Sequence, residues 1–329
     1  MFSKSKSLKH FNLKILSGKP KGVMISHRNV LSAVKTLTTY LLYLNIKNNE
    51  DHVYVAYLPL AHIFEFTSDL VMFFNGIPIG FSSAFTLTDE SPGIFPGQKG
   101  DLSLLKPTIF ITVPLVLERL KKAISDKIEK QGEFFKRFFD FAIEYKHQWN
   151  LRGFSTPILD LFVFNRIKKV LGGRIDTISC GGAPLVPETH KFCNSCFGIN
   201  IMQVYGSTES SAITWMDREE TAFEIVGEPL PFTQVKLVDW PEAGYRVTDK
   251  PRPRGEIITS GHHISKGYYE IEQLTKEAFI YDPDGTRWFL TGDIGEMLEG
   301  GKLKIIDRKK DIVKLQHGEY ISLGRASLT

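Results

Sequence analysis

"INIMQVYGSTES", residues 199–210, carries the pattern from which the fold of this 329-residue chain follows. Its first part is a mostly apolar run that stops at Gly206, and such a run before a glycine turn is typical of a buried strand. Two hydroxyl residues and a carboxylate come next, Ser207, Thr208 and Glu209. The segment therefore predicts a strand that brings polar side chains to one edge of a sheet.

Three other runs end in a similar way: "HVYVAYLPL" (52–60), "PTIFITVP" (107–114) and "IDTISCGG" (175–182). Between the runs lie longer segments whose apolar residues recur at helical spacing, such as 114–149. Strands that alternate with helices predict an α/β fold, with a mostly parallel sheet and helices on both faces. In such a sheet ligands bind at the carboxyl ends of the strands, where these glycine and proline turns fall.

From about residue 226 the pattern changes to short alternating strands separated by proline, glycine and aspartate. Examples are "VGEPLPFTQVKLVDW", "GEIITSGHHISKGYY", "TRWFLTGDIGEML" and "GKLKIIDRKKDIVKL". This pattern predicts a small antiparallel β subdomain after the parallel sheet.

Composition is that of a soluble globular protein, with 42% hydrophobic and 24% charged residues. The formal net charge of +4 is spread along the chain, so it gives no support for a nucleic-acid partner. The longest uncharged window, Leu70 to Leu87, contains glycine, proline and asparagine, and we interpret it as a buried helix and strand rather than a membrane span. The basic, phenylalanine-rich stretch 133–149 leaves two alternatives: a core-facing helix, which we favour, and a helix on a membrane surface.

The three cysteines are an odd number, which suits a reducing compartment better than a disulfide framework. Cys193 and Cys196 form a C-x-x-C pair, and His190 precedes them. Because no second pair exists elsewhere in the sequence, we favour buried apolar thiols over a zinc site.

The turn after the strand at 199–206 could by itself be an ordinary helix start with Ser207 or Thr208 as N-cap. It can also be a ligand site, because Gly206 allows close approach of the backbone, hydroxyls donate to phosphate, and a carboxylate can hold Mg²⁺. Complementary groups occur in three other segments: "SCGGAPL" (179–185), "TGD" (291–293) and "IDRKKDIVKL" (306–315). Together these segments favour a site that binds a phosphorylated ligand.

Eight segments in this order resemble the adenylate-forming (AMP-binding) enzymes and, within them, the long-chain acyl-CoA synthetases. They are "PKGVMISHRNV", "AYLPLAHIFE", "ISCGGAPL", "QVYGSTES", "DKPRPRGEI", "GYY", "RWFLTGDIGE" and "DRKKDIVKLQHGEYISLG". The resemblance runs from Gly18 to about Gly324, and the last segment favours the long-chain fatty acid branch. It implies the adenylate-forming fold, with its mostly parallel sheet and small antiparallel subdomain.

The resemblance also implies a two-step ligase reaction in fatty acid metabolism. A long-chain fatty carboxylate attacks the α-phosphate of ATP to give an acyl-adenylate, and the thiol of coenzyme A then takes the acyl group. Mg²⁺, cations and hydroxyl donors stabilise the negative charge that both steps develop. The family further implies an intracellular location on the endoplasmic reticulum or another internal membrane, with peripheral membrane association.

Residue roles follow from the same resemblance. The implied nucleotide-binding residues are Ser17, Lys21, Gly181, Gly182, Ala183, Gln203, Tyr205, Gly206, Asp293 and Arg308. Tyr205 stacks on the adenine, and Asp293 accepts from the ribose hydroxyls with support from Arg308. Thr208 meets the phosphates and Glu209 the metal, while Lys314 is a candidate phosphate contact. His62 lies near the acyl pocket, although a lone histidine after a strand is more often structural.

The hinge of the family corresponds to the segment from Asp307 through Lys310 to Asp311. The expected divisions are therefore a basic tail (1–14), an α/β part (15–225), a β-rich subdomain (226–305), and the hinge with the start of a C-terminal domain (306–329). Against the family pattern the chain looks incomplete at both ends. A catalytically inactive protein that only binds nucleotide or a partner is the alternative function.

The phosphate loop of the family is only half matched, by Gly18-Lys19-Pro20-Lys21-Gly22. Ile15 and Leu16 stand where a glycine and a hydroxyl residue are expected, and neither side chain can donate to phosphate. A P-loop NTPase is excluded because Pro20 follows Gly18-Lys19 where serine or threonine is required.

Overall fold

The computed structural model describes residues 11–13, 21–44, 46, 51–314 and 320–322. The larger of its two main sheets is mixed and has seven strands. Its strands are β3 (Tyr54–Ala56), β4 (Ile79–Phe81), β5 (Ile109–Thr112), β6 (Thr177–Gly181), β7 (Met202–Ser207), β8 (Ser211–Trp215) and β9 (Glu228–Pro229). Before them, β1 (Phe11–Leu13) pairs with β2 (Lys21–Val23). All four apolar runs singled out in the sequence contain one of these strands.

The order across the large sheet is β4-β3-β5-β6-β7-β8-β9. The pairs from β4 to β7 are parallel, and only β8 and β9 run antiparallel to their neighbours. The predicted mostly parallel sheet is therefore confirmed. Because β3, β5, β6 and β7 are parallel, their carboxyl ends meet at one edge.

Helices cover both faces of this sheet. They are α1 (His27–Tyr43), α2 (Ile63–Phe74), α3 (Asp101–Leu105), α4 (Pro114–Glu129), α5 (Glu133–Leu151), α6 (Pro157–Leu159), α7 (Asn165–Lys168) and α8 (Pro187–Phe197). The short helix α9 (Glu272–Ala278) instead contacts the second, smaller sheet. Along β5, Ile109 and Ile111 pack into the apolar cluster of α1 and α2, whereas Phe110 packs into the cluster of α4, α5 and α8. This alternation is what a strand buried on both faces requires.

Two interpretations of apolar segments can be compared with the structure. The uncharged window 70–87 contains the end of α2 and all of β4, which is the helix and strand expected there. The segment 114–149 forms two helices, since the chain turns at Gly132 with a φ of 102° between α4 and α5. Among helices of the described ranges, none has the length and apolarity needed to cross a membrane.

A five-stranded antiparallel sheet follows, as the change of pattern near residue 226 predicts. It consists of β10 (Gln234–Val238), β11 (Arg254–Ser260), β12 (Phe279–Tyr281), β13 (Arg287–Met297) and β14 (Leu303–Arg308). The order is β10-β11-β13-β12, with β14 also paired to β13. Near the end of the described chain, β15 (Ile312–Lys314) pairs with β16 (Tyr320–Ser322).

The two sheets contact each other through backbone and side chains. The amide of Val226 donates to the carbonyl of Leu303 over 2.9 Å. Tyr205 and Ile213 of the large sheet share an apolar cluster with Ile257 and Leu303 of the small one. This contact brings the end of β7 next to β13 and β14, where the sequence predicts site residues.

The cysteines lie where the apolar interpretation expects them. Cys180, Cys193 and Cys196 are free and buried, and burial raises the pKa of Cys193 to about 12. The Nε2 atom of His190 lies 2.8 Å from the carbonyl oxygen of Ile201. In the described part of the chain, no cluster of three or more His, Cys, Asp or Glu side chains is arranged for a metal.

Candidate functional site

The candidate site forms at the carboxyl edge of the large sheet. Strand β6 ends there at Gly181, β7 ends at Ser207, and α2 begins at Ile63 after the turn that follows β3. Two positions at this edge favour glycine because of their backbone conformation or close packing. Gly182 has a φ of 85°, a conformation that favours glycine, and a Cβ on Gly206 would lie only 2.0 Å from the carbonyl oxygen of Ser211.

Tyr205, Asp293 and Arg308 form a chain of polar contacts that joins the two sheets. The Tyr205 hydroxyl donates to Oδ2 of Asp293 over 2.8 Å, and Nε of Arg308 lies 3.1 Å from Oδ1 of the same carboxylate. Asp293 and Arg308 face each other in the antiparallel register of β13 and β14, which explains their pairing. Tyr205 at the end of β7 is therefore in direct contact with Asp293, with which Arg308 pairs, although both lie much later in the sequence.

The carboxylate of Asp293 is held in a mostly buried position. Burial raises the pKa of Asp293, while the Arg308 guanidinium and the hydrogen bond from Tyr205 act in the opposite direction. Each carboxylate oxygen has two lone pairs, and the contacts above use one on each oxygen. Asp293 can therefore accept further hydrogen bonds from hydroxyl groups of a ligand.

Glu209, Tyr268 and Lys21 form a second group near the same turn. The Tyr268 hydroxyl donates to Oε1 of Glu209 over 2.7 Å, and the Lys21 ammonium lies 4.1 Å from the centre of the Tyr268 ring. Burial lowers the pKa of Lys21, which the negative charge of Glu209 opposes. Tyr268 thus contacts the Glu209 carboxylate through its hydroxyl and the Lys21 ammonium through its ring face. In the sequence its only signal was the motif "GYY", which predicted no role for it.

Other residues assigned to the nucleotide line this edge or lie behind it. Gly182 and Ala183 are exposed, whereas Thr208 is buried. A Cβ on Gly181 would lie 3.3 Å from the ring of Phe64, so that ring stands directly against the glycine turn. Gln203 is buried and donates from Nε2 to the carbonyl of Ile225 over 2.9 Å.

The hinge residues extend from the same group. Beside the effect of burial, positive charge on Lys310 and Arg308 also lowers the pKa of Lys21. The Tyr245 hydroxyl lies 3.4 Å from Oδ2 of Asp307, and Lys310 and Asp311 are exposed. Lys314 ends β15, but its side chain, like Ser17 and the rest of the half-matched loop from 15 to 20, lies outside the described residues.

His62 begins α2 as its N-cap. Its Nδ1 accepts from the amide of Phe64 over 3.2 Å, and the ring is exposed at the carboxyl edge. This contact fits the structural interpretation of the histidine, and it also places the ring beside the Gly181 turn through Phe64.

Glu65, one residue after Phe64, is a titratable group that sequence reasoning missed. It is 1% exposed and accepts from the Tyr54 hydroxyl on Oε2 over 2.8 Å. Burial raises the pKa of Glu65 to about 7, and the nearby Asp69 acts in the same direction. A glutamate between two phenylalanines, in the stretch "IFEF" (63–66), is the signal that could have revealed it.

Comparison with protein families and known proteins adds an independent observation. The family described as AMP-binding enzyme matches residues 17–269. Long chain acyl-CoA synthetase 8 of Arabidopsis thaliana is 46% identical over 318 residues, which cover 94% of this chain and 43% of that protein. Long-chain-fatty-acid--CoA ligase 2 of Schizosaccharomyces pombe is 39% identical over 314 residues, with 93% and 43% covered. The chain thus spans about two fifths of the length of these relatives.

Solved structures agree on the fold. The A-PCP didomain of carboxylic acid reductase from Segniliparus rugosus, in complex with AMP, superimposes with a TM-score of 0.64 at 25% identity over 94% of this chain and 37% of that chain. A long-chain-fatty-acid-CoA ligase from Archaeoglobus fulgidus gives a TM-score of 0.62 at 19% identity, with 93% and 51% covered. The chain therefore has the adenylate-forming fold.

The raised pKa of Glu65 predicts a pH-dependent stability. The folded chain holds the proton more tightly than the unfolded chain, so stability falls as pH rises from about 4.5 to about 7. Replacing Glu65→Gln removes this dependence. The free energy of unfolding of the wild type should fall between pH 4.5 and pH 8 by roughly 3 kcal/mol more than that of the variant. Urea titrations at several pH values measure the difference, and parallel pH profiles would contradict the buried-acid assignment.

Proposed function

Since this chain belongs to the AMP-binding enzyme family, we propose that it activates a long-chain fatty acid with ATP, forming an acyl-adenylate and then acyl-CoA. Membership of the family confirms the resemblance inferred from the eight motifs. The single observation that carries the proposed activity is the polar chain from Tyr205 through Asp293 to Arg308. The names of the relatives support the acyl-CoA synthetase branch.

The adenosine part of ATP would bind between the Gly181 turn and the end of β7. Asp293 is fixed from two sides, so its remaining lone pairs are oriented before the ribose arrives, which lowers the entropic cost of binding. The positive charge of Arg308 favours the ionised carboxylate and so opposes the effect of burial on its pKa. The exposed Gly182 and Ala183 would offer backbone to the base, and the buried Tyr205 would stack on it.

The phosphates would lie over Thr208, Glu209 and Lys21. Glu209 would hold Mg²⁺, which would supply positive charge to offset the negative charge developing on the phosphate oxygens. It is usually held by one or two carboxylates together with phosphates and waters, which fits the single carboxylate here. Tyr268 occupies only one oxygen of Glu209, so the carboxylate remains able to bind a cation. Lys21 would then approach the pyrophosphate.

The acyl chain would lie between α2 and β6. A narrow apolar cavity opens there, lined by Leu37, Tyr40, Leu41, Leu44, Ser68, Val71, Met72, Ile109, Ile111, Thr177, Ser179 and Trp215. Ser179 is two residues before Gly181 on the same face of β6, and Ser68 is one turn beyond Phe64 on α2. The cavity therefore begins below the glycine turn, where the carboxylate would meet the α-phosphate.

The distance from the edge of the sheet to Met72, at the inner end of the cavity, follows from the helix. Ten residues of α2 separate His62 at the edge from Met72, which corresponds to about 15 Å. The open volume is about 20 Å³, room for little more than a water-sized group. A long acyl chain therefore has to displace lining side chains, and the flexible Met72 is suited to move.

Coenzyme A would enter for the second step, and the segment 307–311 would serve as the hinge between the steps. The exposed Lys310 and Asp311 leave that segment accessible at the edge of the small sheet. We also assign the working location of the protein to an internal membrane such as the endoplasmic reticulum. Because the chain spans about two fifths of its relatives, nucleotide binding without catalysis is the alternative function.

Binding of ATP tests the nucleotide assignment. Glu209→Gln removes the negative charge that holds the cation, so the gain in ATP affinity from added Mg²⁺ should fall about tenfold or more. Isothermal titration with and without Mg²⁺ measures it, and Glu219→Gln, an exposed glutamate nearby, is the matched control. An unchanged Mg²⁺ effect in Glu209→Gln would refute the metal role. ATP binding without acyl-adenylate formation from palmitate would favour the alternative function.

Filling the inner end of the cavity tests the acyl assignment. Met72→Trp should weaken palmitate binding by about tenfold or more while octanoate binding changes by less than about threefold, because only the longer chain reaches Met72. Equilibrium dialysis with labelled acids measures both. The control is Phe73→Trp, since Phe73 is the next residue of α2 and is 73% exposed. Equal losses for both acids in a folded Met72→Trp protein would contradict this placement.

A further inference from the structure

Helix α5 has an apolar face that the core does not use. Its core face consists of Phe139, Ala142, Ile143 and Lys146, all buried. A second row of aromatic residues, which we call the aromatic stripe, lies beside that face: Phe134, Phe138, Phe141, Tyr145 and Trp149. These positions follow the spacing i, i+4, i+7, i+11 and i+15, so they form one line along the helix. The core-facing interpretation of 133–149 therefore accounts for only three of its nine apolar residues, Phe139, Ala142 and Ile143.

The aromatic stripe is open to solvent. The side chains of Phe134, Phe138, Phe141 and Tyr145 belong to residues that are 77%, 43%, 60% and 40% exposed. Exposed aromatic residues scattered singly are common, whereas a continuous row marks an interaction surface. The helix does not need the row for its own stability, because the core face already anchors it.

The row continues beyond the end of α5. Ring centres are 5.8 Å apart for Phe141 and Tyr145, 5.7 Å for Tyr145 and Trp149, and 5.5 Å for Trp149 and Phe154. The following turns expose three more large apolar residues, Ile158, Leu161 and Phe162, at 72%, 63% and 71%. We call the aromatic stripe together with residues 154–162 the α5 surface.

The segment after the stripe is held firmly against α5. The ammonium of the buried Lys146 donates to Oδ1 of Asp160 over 2.5 Å and lies 4.4 Å from the centre of the Phe164 ring. Phe164 is completely buried and packs against Phe139, with ring centres 6.1 Å apart. The exposed Leu161 and Phe162 are therefore presented by a fixed backbone.

Charge beside the α5 surface is mainly positive. Between residues 133 and 174, which include α5 itself, the sequence contains eight basic and four acidic residues. Three of the acidic residues are paired: Glu133 with Arg137, Glu144 with Lys191, and Asp160 with Lys146 and Lys168. Arg152, Arg166 and Lys169 are exposed. The Arg152 guanidinium lies 6.0 Å from the Trp149 ring, so cationic and aromatic groups alternate at this surface.

We propose that the α5 surface docks the protein on an anionic lipid bilayer. A helix in the interface plane inserts its apolar side chains about 5–10 Å, which is the reach of one aromatic row. Arginine and lysine beside the row would contact the phosphate and carboxylate groups of the lipids. A bilayer fits better than a second protein because the row is a convex ridge on a helix, whereas protein partners generally require a pocket for aromatic anchors. This proposal does not rest on the nucleotide site.

Vesicle flotation with the purified chain tests the docking. The wild type should float with phosphatidylcholine vesicles that contain about 30% phosphatidylserine, and less with pure phosphatidylcholine. Raising the ionic strength from about 0.1 M to about 1 M should reduce but not abolish binding, since screening removes only the charge contribution.

A double variant removes the aromatic contribution at exposed positions. Phe138→Ser with Phe141→Ser should weaken binding to the anionic vesicles about tenfold or more. The matched control is Phe81→Ser with Phe95→Ser, because those side chains are 80% and 74% exposed and lie outside the α5 surface. Quenching by brominated lipid should reach Trp149 and should largely disappear in Trp149→Phe. Trp215 and Trp288 are buried, and Trp240 follows β10 of the small sheet, outside the α5 surface.

Three results would overturn the proposal. The first is a wild type that floats with neither kind of vesicle. The second is an equal loss of flotation in the control double variant. The third is a dimer that Phe138→Ser with Phe141→Ser converts to a monomer without any change in flotation, which would assign the α5 surface to a second copy of the chain.

Discussion

The hydrogen bond from Tyr205 to Asp293, completed by the Arg308 ion pair, is the contact on which the arrangement of the site depends. Tyr205 belongs to the large parallel sheet, whereas Asp293 and Arg308 belong to neighbouring strands of the small antiparallel sheet. Together with the apolar cluster that joins the two sheets, the contact therefore fixes the relative position of the site residues on each sheet. It does so with a carboxylate that still has lone pairs for a ligand.

Burial and charge around this contact explain why the site is preorganised. Burial raises the pKa of Asp293, and the neighbouring Arg308 guanidinium acts in the opposite direction. Tyr268 does the same kind of positioning for Glu209 and Lys21, through its hydroxyl and its ring face. The two tyrosines thus place opposite charges at fixed points without neutralising them completely, which is what binding of a metal nucleotide requires.

The sequence predicted the parallel sheet, because apolar runs that stop at glycine or proline mark the ends of buried strands. It also predicted the β subdomain and the proximity of the motifs that carry the site. It did not reach contacts made by side chains from distant segments: Tyr268 on Glu209, or Tyr54 on Glu65. Nor could it separate the two apolar faces of α5, since both consist of the same residue types at helical spacing. Those distinctions depend on which neighbours the fold supplies.

Recognition of the ribose tests the central role of Asp293 most directly. A fixed carboxylate that accepts from ribose hydroxyls should bind AMP about ten- to a hundredfold more tightly than 2′,3′-dideoxy-AMP. In Asp293→Asn, competitive titration of the two nucleotides should show a preference reduced to less than about threefold. A wild type that does not distinguish the nucleotides, or a variant that keeps the full preference, would contradict the assignment of this contact to an adenosine site.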